Sequence, residues 1–157
     1  MIQGLKNNDY IKVNLFGKEK SIRVLCTGDN KFDQFGNYKD FDFELNGEEL
    51  SLLNWFLENV KIEEYKQQIL EYCNDEYSSW QYFDGTQEGP IGIDDVENEI
   101  NITTIAINVT SVWKTNNGFV YPEISFYGDC KCDEEHGICI GFRDKKFLGI
   151  KSKSWTL

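Results

Sequence analysis

A single histidine narrows the search for chemistry in this chain. His136 lies within Phe126–Phe142, FYGDCKCDEEHGICIGF, which also holds three of the five cysteines and three consecutive acids. Three kinds of chemistry fit these residue types. In the first, Asp133 or Glu135 orients His136 as a general base, since a carboxylate on one ring nitrogen fixes the role of the other. In the second, Cys130, Cys132, His136 and Cys139 form C-x-C-x3-H-x2-C, four donors of the type that zinc takes. In the third, the segment is a tight turn. Its carboxylates accept backbone N–H groups, Gly137 takes a positive φ, and the cysteines are small buried hydrophobes.

The turn is the reading preferred. No nucleophile motif such as G-x-S-x-G accompanies the histidine, and adjacent residues on a strand point to opposite faces. The first gap of the cysteine set is one residue, where zinc pairs ordinarily leave about two to four. No catalytic residue, metal or cofactor is therefore assigned. Asp133, Glu134, Glu135 and His136 are instead a candidate binding epitope. Trp80 and Tyr82 join them as aromatics of a long Gly-rich loop expected over Tyr77–Gly92, because long loops often carry binding.

The elements that must position this turn are legible from periodicity. Tyr10–Phe16 and Glu19–Cys26 alternate as a hairpin around Gly17-Lys18. Thr27–Tyr38 is rich in turn residues. Its Asp29, Asp33 and Gly36 are spaced somewhat like a calcium loop, but Lys31 occupies a ligand position and no bidentate Glu follows, so a solvated loop is expected. Asp40–Leu45 alternates strictly and predicts a third strand with one wet face. Asn46 with Glu49 has the form of a capping box before an apolar helical stripe of Leu50, Leu53, Phe56, Leu57 and Val60. A second helix is expected over Ile62–Asn74, and a short acidic one over Ile93–Ile100. Ile102–Lys114, Phe119–Cys130, Gly137–Arg143 and Lys146–Lys151 then read as strands, with turns at Asn116-Asn117-Gly118 and Asp144-Lys145. Pro122 places an edge or a bulge in its strand. The implied fold is α+β over 1–157 as one domain. It is mainly antiparallel sheet with two adjacent helices on one face, and its β-rich C-terminal part is about 102–151.

Bulk composition bounds the partners. Sixteen Lys and Arg against 27 Asp and Glu leave a formal net charge of −11. That balance argues against nucleic acid, whose binding rests on cations neutralising phosphates, and against an anionic membrane surface. It favours a basic protein partner. An N-terminus without the form of a signal peptide, no long apolar run, and five cysteines outside any disulfide framework point to reduced thiols and a cytoplasmic location.

Cys130–Gly137, CKCDEEHG, resembles a bacterial family of unknown function. That family is marked by a strand ending in C-x-W-D-E-E-H-G and followed by an apolar strand, here Ile138–Phe142. Cys132 stands where the family has Trp. The resemblance spans about Ile102–Ile150 and implies an α+β domain of bacterial source. Genes of this sort often neighbour toxin–immunity pairs, which implies a non-enzymatic immunity-type protein that binds a basic toxin. A metal-binding domain using Cys130, Cys132, His136 and Cys139, and an enzyme using His136 with its carboxylates, are the alternatives.

Overall fold

Alternation builds the first hairpin. In the computed structural model, β1 (Tyr10–Leu15) pairs antiparallel with β2 (Lys18–Cys26), from Leu15↔Lys18 to Tyr10↔Arg23. Residues 2–27, 31, 33–84, 89–109 and 120–156 are described, with backbone alone for 80–84 and 156. The turn falls on Phe16-Gly17 (φ 53° and 80°), one residue earlier than the Gly17-Lys18 expected. Two left-handed residues match the twist of the flanking strands, and the Phe16 ring packs against the core.

The chain then leaves the sheet for its helices. α1 (Gly47–Asn59) starts on the expected capping box: Glu49 N donates to Asn46 Oδ1 and Asn46 N to Glu49 Oε1, both at 2.9 Å. Glu49 is buried, and Lys31 Nζ reaches its carboxylate at 3.4 Å. A 3₁₀ turn, Ile62–Tyr65, leads into α2 (Lys66–Asp84), and a second, Ile93–Asp95, leads into α3 (Val96–Glu99).

β3 (Ile100–Ile107) returns parallel to β2. β4 (Ile124–Cys130), β5 (Ile138–Arg143) and β6 (Lys146–Lys151) follow as an antiparallel meander, giving a six-stranded sheet in the order β1 to β6. The β5–β6 turn is on Asp144-Lys145, as expected. One core row runs across the ladder through Val24, Ile105, Phe126, Ile140 and Ile150. Helix residues Leu53, Phe56, Ile69 and Cys73 cover it. Phe56 is fully buried between Phe126 (centroids 4.6 Å apart) and Phe142 (5.4 Å). The fold is α+β, as predicted.

Two expectations fail. Asp40–Leu45 is not a sheet strand. It lies across the N-terminal segment, with Asn7 N donating to the Phe43 carbonyl and Leu45 N to the Leu5 carbonyl, both at 2.9 Å. Among the described residues a single bridge, Lys6↔Glu44, is the pairing it makes, and Phe41 stays exposed. Buried Asn7 fixes this crossing: its amide donates to the Phe41 carbonyl while its oxygen accepts from Cys26 N. Nor is Tyr77–Gly92 all loop, because α2 continues to Asp84. The stripe of Ile69 and Cys73 extends one more turn to buried Tyr77, and this i, i+4, i+8 spacing carries the helix on. The Asn116-Asn117-Gly118 turn and Asp29 lie outside the described residues.

The opposite face of the sheet is also closed over β4 and β5. The C-terminal segment forms a 3₁₀ turn at Lys153–Thr156 and buries Trp155. Its indole Nε1 donates to the Val120 carbonyl at 3.0 Å. A methyl placed on Gly141 would lie 2.9 Å from the Trp155 ring and 2.8 Å from Pro122, so glycine is what lets these groups close on the strand. Pro122 precedes β4 rather than interrupting it, so its missing N–H costs the ladder nothing.

Candidate functional site

The acidic turn follows directly from β4. Lys131–Asp133 make a 3₁₀ turn, and the Gly137 N–H closes on the Asp133 carbonyl at 2.9 Å with Gly137 at φ 65°. Asp133 is buried and organises the segment. Its Oδ1 accepts the backbone N–H of His136, and both of its oxygens lie 3.1 Å from His136 Nδ1. Tyr72 on α2 donates to the Gly137 carbonyl at 3.0 Å, and Lys153 N donates to the His136 carbonyl at 2.9 Å. Helix, sheet and C-terminal segment therefore all hold this turn in place. The segment has the turn structure expected, with Asp133 as its acceptor. Glu134 and Glu135 are exposed and His136 is half exposed.

His136 and Asp133 open on a shallow cleft of about 440 Å³ walled by Tyr72, Glu76, Lys151 and Ser152. Burial, and then the neighbouring Asp133 carboxylate, push Glu76 above the ordinary carboxylate range, while His136 pulls it back. Burial likewise drives the Tyr72 hydroxyl far up. A His–Asp dyad of this form can move a proton. Of the hydroxyls in the wall, Tyr72 is engaged with the Gly137 carbonyl and Ser152 with Ser154 at 2.8 Å.

The four residues of the C-x-C-x3-H-x2-C pattern do not converge. Cys130 and Cys132 enter the core under α2, with their sulfurs 3.1 Å apart. Cys139 is buried on the opposite face of β5, where alternation sends it away from Ile138 and Ile140, and His136 turns outward to its cleft. Burial raises the Cys139 thiol to about 12.

In its place the structure brings together residues the sequence had set apart. Cys73 of α2, Glu99 of α3 and Cys132 are all buried, and their donor atoms lie within 4.8 Å of one another. Tyr77 donates a short hydrogen bond to Glu99. The hydrogen bond with Cys130 pulls the Cys132 thiol down, but its hydrogen bond with Cys73 and burial outweigh this and leave it raised. Nothing in the local spacing announces Cys73 or Glu99, since they come from elements far apart in sequence.

Trp80 and Tyr82 lie on the last turns of α2, and their side chains fall outside the described residues. Charge is distributed very unevenly. Residues 47–99, which carry every helix between β2 and β3, contain 14 acids and two lysines, a formal net charge of −12. The rest of the chain contains 13 acids and 14 basic residues, a net of +1.

Together these features define an α+β domain whose acidic excess lies in its helical layer, the remainder of the chain being nearly neutral. Among the described residues no helix is long and apolar enough to cross a membrane. Residues 2–154 match the family described as Domain of unknown function (DUF6985), and the chain belongs to that family. No curated protein and no solved structure matches the chain.

Proposed function

We propose that the chain is one non-enzymatic binding domain, a cytoplasmic immunity-type protein whose helical layer docks a basic protein partner such as a toxin. What carries the reading is the confinement of net charge: −12 over residues 47–99 and +1 over the remainder. Glu58, Glu63, Glu64, Glu71 and Asp75 are all exposed on this layer. Asp133, Glu134, Glu135 and His136 add an acidic edge beside α2, with Trp80 and Tyr82 on the same helix as aromatic contacts. A layer of one sign steers a partner of the other sign during encounter and makes association depend on salt.

The test uses the purified protein as bait for basic proteins from its source, followed by affinity measurements on the partner recovered. Glu71→Lys with Asp75→Lys is expected to slow association and to flatten its salt dependence. A partner whose affinity is indifferent both to salt and to these reversals would refute the reading.

A further inference from the structure

Two thiols and a carboxyl group meeting in a protein core call for an explanation beyond packing. Cys73, Cys132 and Glu99 are each less than a tenth exposed, and their donor atoms are mutually within 4.8 Å. They come from three different elements: the middle of α2, the end of α3 and the turn after β4. Among the described residues the Glu99 carboxyl has one hydrogen-bonding partner, the Tyr77 hydroxyl. A buried carboxylate with so little compensation is costly, and a cation beside it would remove that cost.

Access exists as well. A cleft of about 310 Å³ is lined by Glu99 and Cys130 together with Asn98, Lys131 and the acids Asp129 and Glu134. Asp129 is paired with Lys153 at 3.0 Å, and Glu134 is exposed.

We propose that Cys73, Cys132 and Glu99 form a binding site for a thiophilic divalent cation of the zinc class, entered through the cleft over Glu99 and Cys130. Two sulfurs and one carboxylate oxygen match zinc's preference for soft and borderline donors, and three protein ligands leave a fourth position for another donor. The Tyr77 hydroxyl orients the carboxylate from behind, as outer-shell donors do in metal sites. Binding replaces the two thiol protons, which pass to solvent, with one divalent cation, so affinity rises with pH. The site is independent of the acidic docking face and stands whether or not that face binds a partner.

The test begins with the full chain, reduced and stripped with a chelator, then titrated with Co²⁺ and with Zn²⁺. The expected result is a thiolate-to-cobalt charge-transfer band that saturates at one equivalent, is displaced by Zn²⁺, and is accompanied by a rise in Tm. Glu99→Gln keeps an acceptor for Tyr77 and is expected to fold while binding at least tenfold more weakly. Cys73→Ser and Cys132→Ser should abolish the band, whereas Cys139→Ser and His136→Ala should keep it. No band and no rise in Tm with excess metal on the wild-type chain would overturn the proposal. So would a band that survives Glu99→Gln at full affinity or disappears in Cys139→Ser.

Discussion

Replacing Asp133 by alanine separates what the acidic turn does for the fold from what its histidine does. Asp133 Oδ1 accepts the His136 backbone N–H at 3.1 Å from a buried position, and hydrogen bonds to a charged acceptor contribute about 1.5–3 kcal/mol. The ring contact is worth less. The His136 side chain is 53% exposed, and exposed ion pairs yield about 0.2–1 kcal/mol. Asp133→Ala is therefore expected to cost about 2–3 kcal/mol, and His136→Ala less than about 1. Asp133→Asn keeps a neutral acceptor for the backbone and should fall between them. For a chain of this size the alanine variant lowers Tm by about 4–12 °C. Urea denaturation followed by tryptophan fluorescence measures all three, and the double variant closes the cycle with a coupling below about 1 kcal/mol. If His136→Ala proved as costly as Asp133→Ala, the ring rather than the backbone bond would be holding the turn, and the reasoning would fail.

Further predictions follow from the same geometry. Phe56→Ala should cost about 3–5 kcal/mol in urea, because the ring is fully enclosed between Phe126 and Phe142. Gly128→Ala should cost about 1–3 kcal/mol or more, since its methyl would strike the Asn101 carbonyl and lie 2.8 Å from Ile102 Cα at the β3 bulge; an unchanged midpoint would contradict this. The raised Glu76 carboxyl means that the folded protein holds this proton more tightly than the unfolded chain. Its stabilising effect is complete below the ordinary carboxylate range and is lost as pH rises through the raised value. Glu76→Gln should therefore gain on the wild type as pH climbs from about 3 to about 7, and a constant difference between the two would refute the assignment.

Where the interactions that fix an element lie within a few residues, the sequence was enough to read it. The β1–β2 hairpin, the Asn46–Glu49 box and the Asp144-Lys145 turn are set by near neighbours, and so is the closure of Asp133 on His136. Elements decided by distant partners were misread. Asp40–Leu45 has perfect strand alternation, yet Asn7 claims its carbonyls and holds it off the sheet. Trp155 could not be placed from its neighbours in sequence because its support, Val120, Pro122 and Gly141, is assembled only by the fold. The thiol pattern drew attention to Cys139 by its spacing, whereas α2 and α3 deliver Cys73 and Glu99 from across the chain.

The sheet holds one further consequence, for the order in which the chain acquires its structure. Every strand pair is antiparallel except β2–β3, and these two are separated by residues 27–99. The hairpin on one side and the meander on the other are built from contacts local in sequence and can zip early. Joining them closes a loop of that length, an entropic cost on the order of 4 kcal/mol before any contact across the seam offsets it. The parallel seam thus sets the contact order of the whole chain and is the natural rate-limiting step. Pulsed hydrogen exchange during refolding should find the β1–β2 amides protected before the seam amide of Thr27, which donates to the Ile107 carbonyl.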